Sequence, residues 1–182
     1  MTLERRYVVV DVEAAGPTPS QYALLSIGAC TLGEPRETFY VELQPDRADY
    51  TEEALAVHGL SIDRLAEEGT PPAQAMARFA AWIAEITPHG AQPICVGFNA
   101  PFDWMFVNDY FHRYLGRNPF GHAALDIKAL YMGVAGVSWE ETSMRHLAPR
   151  YLGGTALTHN ALQDAIDQAR ILKGILEEMD QP

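Results

Sequence analysis

Residues 7–13 read Tyr-Val-Val-Val-Asp-Val-Glu, an apolar, β-branched run that ends in two carboxylates. The run Tyr7–Val12 predicts a buried β-strand. Side chains two residues apart on a strand point to the same face, so Asp11 and Glu13 share one face. Buried like charges are costly unless a positive charge lies between them, and a divalent cation would supply that charge. A solvated acidic pair at the rim of a sheet explains the same two residues equally well.

The rest of the chain predicts a mixed sheet with helices on its faces. Gly16, Pro17 and Pro19 end the first strand. Two strands with antiparallel, hairpin-like connections follow, and helices and strands then alternate. The predicted elements are strands at Leu24–Leu32, Thr38–Leu43, Ile94–Phe98 and Leu125–Ile127, and helices from Pro72 to Ile86, at Pro101–Leu115, directly after Ile127, and from about Asn160 to Glu178. This order favours an α/β fold with a mixed five-stranded sheet flanked by helices, and it matches a ribonuclease H-like fold.

Two more carboxylates stand where helices begin. Asp103 closes the stretch Asn99-Ala-Pro-Phe-Asp, and Asp164 lies in the first turns of the last helix, just after His159. A carboxylate at a helix start is ordinarily a favourable cap, so each feature alone favours a structural role. In the predicted fold, however, the fourth strand lies beside the first, and Asp103 can then face Asp11.

Taken together, the three motifs Asp-x-Glu, Asn-x-x-Phe-Asp and His-x-x-x-x-Asp resemble those of the DEDDh exonuclease family. This family includes ribonuclease T, oligoribonuclease and the proofreading subunits of DNA polymerases. The resemblance extends from Tyr7 to about Leu176. It is closest to the ribonuclease T branch in three segments: Asp11–Gly16 with Ala23–Leu25, Glu53–Ala56 with Gly59, and Arg117–Phe120 with Asp126.

The resemblance implies a 3′→5′ exonuclease that hydrolyses single-stranded RNA or DNA from a free 3′ end, with RNA or short oligonucleotides favoured. Asp11, Glu13, Asp103 and Asp164 would hold two Mg²⁺ ions, for which Mn²⁺ would substitute. Mg²⁺ prefers oxygen ligands, and a pair of ions stabilises both the attacking and the leaving oxygen of an in-line displacement. His159 would be the general base, a role for which an imidazole is suited near neutral pH.

The same resemblance indicates the residues that contact the substrate. The backbone at Ala14 and Ala15 would face the terminal nucleotide, because small side chains allow close approach. His58 would touch the terminal base or sugar. Phe102, beside Asp103, is either a stacking residue or part of the core, and the sequence favours neither.

Four further positions qualify the resemblance. Val57 and His122 stand where the ribonuclease T branch tends to have aromatic residues, so its mode of base stacking is not expected here. Asn99 is expected to hold the turn between strand and helix rather than to bind substrate. Asp126 follows an apolar strand and is expected to support the site structurally.

Composition limits the remaining possibilities. The chain has 182 residues, of which 48% are hydrophobic and 20% are charged, and these values suit one globular domain over residues 1–182. No apolar run approaches the roughly 18 residues of a membrane span, and no signal-like segment precedes the first strand. We therefore expect a cytoplasmic protein without a membrane partner. Cys30 and Cys95 lie in apolar runs and predict buried free thiols.

The charge predicts weak attraction for long nucleic acids. The chain has 13 basic and 24 acidic residues, a net charge of −11, which two bound Mg²⁺ ions would change to −7. Its densest basic stretch would give a salt slope of at most about −0.7 × 5, or roughly −3.5, on a single strand. We expect the best substrates to be short single strands or protruding 3′ ends. Ribonuclease T-like relatives also suggest a homodimer, the commonest kind of oligomer. The basic stretch consists of Arg113, Arg117, Lys128, Arg145 and Arg150.

Two alternatives stay open on the sequence alone. A proofreading subunit of a DNA polymerase would carry the same motifs, although no polymerase-binding segment is visible after Asp180. A non-catalytic nucleic-acid-binding module on the same fold would be expected to have lost a carboxylate or the histidine. This chain retains all of them.

Overall fold

The computed structural model of the chain describes residues 5–154 and 158–179, so Asp180 and the segment before Arg5 lie outside the described residues. The sheet has five strands in the order β3-β2-β1-β4-β5. β1 runs antiparallel to β2 and parallel to β4, β2 pairs antiparallel with β3, and β4 pairs parallel with β5. This topology confirms the predicted mixed sheet and the neighbouring positions of the first and fourth strands. The strands are β1 (Arg5–Ala14), β2 (Leu24–Thr31), β3 (Thr38–Glu42), β4 (Gln92–Gly97) and β5 (Ala124–Asp126).

Seven α-helices and one 3₁₀ turn surround the sheet in the described part of the chain. Four of the helices, α3, α4, α5 and α7, were predicted, and both ends of α3, α4 and α7 and the start of α5 agree to within about two residues. The short helices α1, α2 and α6 were not. The helices are α1 (Glu52–His58), α2 (Ile62–Glu68), α3 (Pro72–Ile86), α4 (Ala100–Leu115), α5 (Ile127–Ala135), α6 (Met144–Tyr151) and α7 (Ala161–Met179), and the 3₁₀ turn is Glu140–Thr142.

Successive residues of β1 point into two different cores. Val8, Val10 and Val12 pack on one face of the sheet with side chains of α3 and α4. Val9 packs on the other face with side chains of α5, α6 and α7. Because side chains alternate along a strand, Asp11 lies on the face that α7 covers, and so does Glu13.

A glycine in β2 allows α7 to begin close to the sheet. Gly28 pairs with Asp11 across the β1–β2 ladder. A Cβ atom added to Gly28 would lie 2.1 Å from the carbonyl carbon of Ala161 and 2.2 Å from the nitrogen of Leu162. No real side chain fits there, so the bare backbone of Gly28 lets the first turn of α7 rest directly on the strand. Asp164 is thereby brought towards Asp11.

Two other expectations concern the chain as a whole. Both cysteines, Cys30 and Cys95, are buried and free, as predicted. Among the described helices, none combines the length and the apolar character that crossing a membrane requires.

Candidate active site

Four carboxylates converge where β1 ends and where α4 and α7 begin. Asp11 and Glu13 lie near the end of β1, Asp103 in the first turn of α4 and Asp164 in the first turn of α7. Glu13, Asp103 and Asp164 are all buried, with exposed fractions of 9%, 5% and 2%. The structure therefore brings together the four residues that the sequence predicts as metal ligands.

Burial and mutual repulsion favour the protonated forms of these carboxyl groups. Burial raises the pKa of Asp11 well above its usual value, and the charges of Asp103, Glu13 and Asp164 raise it further. Burial and the charge of Asp164 raise the pKa of Glu13 to about 7. Burial raises the pKa of Asp103 to about 8, although the backbone N–H of Val12 opposes this shift. Such a group needs protons or a cation to be stable near neutral pH.

Backbone donors hold two of the carboxylates in place. The N–H of Val12 donates to Oδ1 of Asp103 at 3.0 Å. The N–H of Thr158 donates to Oδ1 of Asp164 at 2.8 Å, and the N–H of His159 donates to its Oδ2 at 2.9 Å. These bonds fold the segment before α7 onto the helix start, so His159 is fixed beside Asp164.

Gln168 orients the remaining aspartate, and the sequence analysis did not identify it. The side chain of Gln168 is 1% exposed. Its Nε2 donates to Oδ1 of Asp11 at 2.6 Å, and its Oε1 accepts from the N–H of Phe98 at 2.9 Å. Gln168 thereby ties the ends of β1 and β4 together. Its spacing of four residues from Asp164, on one face of α7, is the signal that could have indicated it.

The residues present fit a divalent cation. Ligand atoms of Glu13, His159 and Asp164 all lie within 4.8 Å of one another. Within residues 5–154 and 158–179 it is the only group of three or more such residues that meets this distance, and the carboxylates of Asp11 and Asp103 lie near enough to interact with it electrostatically. Carboxylate oxygens are the ligands that Mg²⁺ and Mn²⁺ prefer.

His159 lies over the acidic group rather than within a helix. It precedes α7, is exposed, and has a backbone φ of 55° in the left-handed region. A non-glycine residue adopts this conformation at a cost, which the hydrogen bond from its N–H to Asp164 helps to offset. The imidazole is therefore placed beside the carboxylate oxygens of Glu13 and Asp164, a position that a general base would need.

A cavity of about 330 Å³ opens beside Glu13. Three of the four predicted substrate contacts, Ala14, His58 and Phe102, line it. Ala15 does not line the cavity; its N–H donates to the carbonyl of Ala23, and its own carbonyl accepts from the N–H of Thr51 at the start of α1. The contact of the Ala15 backbone with the substrate stays a prediction. The other lining residues are Gly16, Pro17, Thr51, Ala54 and Val57.

His58 presents a buried N–H group next to this cavity. Its Nδ1 accepts from the N–H of Leu60 at 3.0 Å, so the proton of the neutral ring is on Nε2. Within the described residues the buried Nε2 has no hydrogen-bond partner. Burial lowers the pKa of His58, the nearby backbone of Ala14 opposes this shift, and the charge of His159 lowers the pKa further, so the neutral ring is favoured. Gly59, with a φ of 67°, makes the turn that returns Leu60 to the ring.

The two positions that depart from the ribonuclease T branch lie far apart. Val57 lines the cavity and is 52% exposed. His122 lines a different cavity, with Arg5 and Tyr7, at the end of the sheet where β1 begins. A contact between His122 and the substrate pocket is thus not supported. Phe102 lines the cavity and packs on Phe106 with ring centroids 5.4 Å apart, so it belongs to the edge of the core, and its stacking on a base stays a prediction.

The structural roles predicted for Asn99 and Asp126 are confirmed. Asn99 precedes α4 with a φ of 65° and forms the sharp turn out of β4. Oδ2 of Asp126 accepts from the N–H of Ala100 at 2.6 Å, and its Oδ1 accepts from the N–H of Ala129 at 2.7 Å. Asp126 therefore caps α5 and positions the start of α4, from which Asp103 projects.

Comparison with known proteins identifies exonucleases both as a matching family and as a relative of high identity. The exonuclease family model RNase_T matches residues 8–172. The 3′-5′ DNA exonuclease Cap18 of Escherichia coli is 45% identical over 167 residues, which cover 92% of this chain and 89% of Cap18.

Solved structures share the fold at lower identity. The nuclease domain of 3′hExo, described as a DEDDh family member bound to rAMP, has a TM-score of 0.78 and 16% identity, covering 97% of this chain and 94% of that one. Exonuclease I of E. coli in complex with a dT13 oligonucleotide has a TM-score of 0.72 and 18% identity, covering 98% of this chain and 42% of the other.

Proposed function

Because the chain belongs to the RNase_T exonuclease family, we propose that it is a metal-dependent 3′→5′ exonuclease acting on single-stranded nucleic acid. The observation that carries this proposal is the convergence of four carboxylates, three of them buried, and His159 beside a cavity of about 330 Å³. That volume lies at the lower end of the range for small-molecule sites, which suits a single nucleotide. The catalytic unit is one domain, residues 1–182.

Each residue has a proposed role in the reaction. Asp11, Glu13, Asp103 and Asp164 would hold two Mg²⁺ ions, which supply positive charge to the scissile phosphate and to the attacking and leaving oxygens. His159 would accept the proton of the attacking water. The new P–O bond forms as the bond to the 3′ oxygen of the preceding nucleotide breaks, and a nucleoside 5′-monophosphate leaves.

The cavity explains why the 3′ end is attacked. The Nε2–H of His58 would donate to the terminal sugar, and the ring of Phe102 would contact the terminal base. Ala14 would allow close approach at the wall beside Glu13. A chain that continued beyond this nucleotide would collide with the wall formed by α1, so only a free terminus fits.

Polarity of degradation tests this proposal directly. A single strand labelled at its 5′ end should give a ladder that shortens from the 3′ end in the presence of Mg²⁺ or Mn²⁺. A bulky 3′ block should stop degradation, a 5′ block should not, and Asp11→Asn should be inactive. Cleavage of circular single strands would show an endonuclease instead.

The nature of the sugar is a separate question. The sequence analysis favours RNA, whereas the relative at 45% identity is named as a DNA exonuclease. We propose single-stranded DNA as the first substrate to test, with RNA of the same sequence as its comparison. Faster degradation of RNA at equal concentration would restore the original preference.

Two residues of the basic stretch are engaged in ion pairs, so fewer cations are available to bind a strand. Arg113 is paired with Asp46 and Asp109, and Arg150 is paired with Glu178. Three cations of the basic stretch are then left for phosphate, which lowers the largest expected salt slope to about −0.7 × 3, or roughly −2. A preference for short strands follows from this. The homodimer remains a proposal from family resemblance, and light scattering at micromolar concentration tests it.

A further inference from the structure

An exposed aromatic and basic surface lies on the β4–β5 side of the carboxylates. Trp139 is 48% exposed, an unusual position for so large a ring. Nζ of Lys128 lies 4.1 Å from the centroid of the Trp139 ring and 5.9 Å from that of Phe98. These three residues, Phe98, Lys128 and Trp139, are called the platform below.

The position of Lys128 is not explained by the stability of its helix. Lys128 is the second residue of α5, and a cation near the positive end of a helix dipole is mildly unfavourable. Within residues 5–154 and 158–179 it makes no ion pair, whereas Arg113 and Arg64 are each held by two carboxylates. Lys128 is therefore a cation left available, in a strongly acidic protein, beside an exposed indole.

Hydrogen bonds join the platform to the catalytic centre. The N–H of Phe98 donates to Gln168, whose amide donates to Asp11. Asp126, two residues before Lys128, accepts from the N–H of Ala100 at the start of α4. The platform thus adjoins Asp11 from the β4–β5 side, whereas the cavity opens beside Glu13 at the end of β1.

We propose that the platform binds the nucleotide on the 5′ side of the scissile phosphate, with its base stacked on Trp139 and its phosphate bound by Lys128. This inference rests on the proposed function, because the cavity takes the 3′-terminal nucleotide and the rest of the strand must leave past the carboxylates. An aromatic ring stacks on any base, and a lysine binds any phosphate. The subsite is therefore indifferent to sequence.

Kinetics on two substrates separates the platform from the cavity. The p-nitrophenyl ester of thymidine 5′-monophosphate fills the cavity and places only a nitrophenyl ring, with no second phosphate, on the 5′ side of the scissile phosphate. A DNA strand of about five nucleotides places a base and a phosphate there and can engage the whole platform. Trp139→Ala should raise KM for the strand by about 10- to 100-fold and should change the kinetics of the ester much less. Trp139→Phe, which keeps an aromatic ring, should recover most of the loss.

Lys128→Ala provides the second arm, with Arg78→Ala as its matched control. Both substitutions remove one positive charge, and neither residue has an ion-pair partner in the described part of the chain. Arg78 lies on α3, which covers the face of the sheet opposite to α5 and α7. Lys128→Ala should reduce the salt slope for the strand by about 0.7. Arg78→Ala should leave it unchanged, and an equal effect of both would show only a general influence of charge.

Two results would overturn the platform. Trp139→Ala could alter the ester and the strand equally, which would make the residue structural. Alternatively, Trp139→Ala could change the kinetics of neither substrate. The exposed ring would then bind a different partner, such as a protein. If the wild-type protein cleaves neither substrate, the proposed function fails. The platform is then judged by fluorescence anisotropy of a labelled strand, where unchanged affinity in Trp139→Ala rejects it.

Discussion

The carboxylates of two acidic regions in this molecule have pKa shifts of opposite sign. Asp46 accepts hydrogen bonds from the hydroxyls of Tyr110 and Tyr114 and from Arg113. Burial acts to raise the pKa of Asp46, but these donors outweigh it and hold the pKa below its usual value. In the active-site cluster, burial and neighbouring carboxylates instead raise the pKa of Asp11. The difference shows that burial of a carboxylate is compatible with a purely structural role. An acidic cluster that lacks cationic side chains is what indicates a bound metal.

The largest expected effect is a loss of turnover when a carboxylate of the active-site cluster is replaced. Asp11→Asn should abolish turnover, because it removes a charge that metal binding requires, and it should leave the fold intact. The stability of the metal-free protein should even rise, since repulsion within the cluster is relieved. Turnover of an oligonucleotide and thermal unfolding in EDTA measure the two effects. Activity close to that of the wild type would remove the basis for the site.

A smaller loss is expected at the histidine. His159→Ala should lower the rate by roughly 10²–10⁴ and leave Mn²⁺ binding intact, because a general base is lost while the carboxylates remain. The acid limb of the pH–rate profile should flatten. Calorimetric titration with Mn²⁺ provides the check. Loss of metal affinity would make His159 a ligand, an outcome that its proximity to Glu13 and Asp164 makes chemically reasonable.

Gln168 provides a closer test of the comparison. It donates a hydrogen bond to Asp11 as a neutral group, whereas Asp46 is bonded by the cation Arg113. Gln168→Leu should weaken metal binding by about 10- to 100-fold, as is typical when a partner of a metal ligand is removed. The concentration of Mn²⁺ at half-saturation is the quantity to measure. Gln163→Leu is a matched control on α7, because Gln163 donates to Asp167 and not to Asp11. Equal effects of the two changes would argue against an orienting role.

The structural carboxylate should respond in the opposite sense. Asp46→Ala leaves the buried hydroxyl of Tyr110 and the guanidinium of Arg113 without this acceptor, and it should cost about 1–3 kcal/mol of unfolding free energy. Turnover at low temperature should be unchanged. Urea unfolding and initial rates on one preparation decide the matter, and a loss of activity without a loss of stability would contradict the assignment.

The smallest expected effect is on the pH dependence of stability without metal. A carboxyl group with a raised folded-state pKa contributes stability below its unfolded pKa, near ~4, and that contribution is lost as the pH rises through the folded value. For Glu13 and Asp103 the folded values are about 7 and about 8. In EDTA the melting temperature should therefore fall between pH 6 and pH 8.5. Saturating Mn²⁺ and the variant Asp103→Asn should each reduce this decline.

The sequence was informative where periodicity and motif spacing determine the structure. The buried run of β1, the long helices α3, α4 and α7, and the order of the carboxylates follow from local pattern, and the structure has all of them. The helices α1, α2 and α6 escaped prediction because they are short. α1 has no buried residue and depends on its caps, Thr51 and Gly59.

Contacts between distant segments could not be predicted. Gln168 bonds to Asp11 from 157 residues away, and Arg113 bonds to Asp46 from 67 residues away. No local pattern shows that the first side chain orients a ligand or that the second is unavailable to phosphate. The hydrogen bonds of the Ala15 backbone with Ala23 and Thr51 are contacts of the same kind, and no local pattern indicated them.

The bare backbone at Gly28 has a consequence for how the enzyme can change. Asp11 lies on the sheet and Asp164 on a helix, and the distance between the two ligands depends on how near the helix can come. At Gly28 that approach leaves no room for a methyl group. Alanine at this position would move ligand-bearing elements apart while every carboxylate, the histidine and the cavity kept their chemical identity. The sequence of such a variant would still contain every residue of the proposed site, yet its carboxylates would stand too far apart to hold the metal ions that we propose.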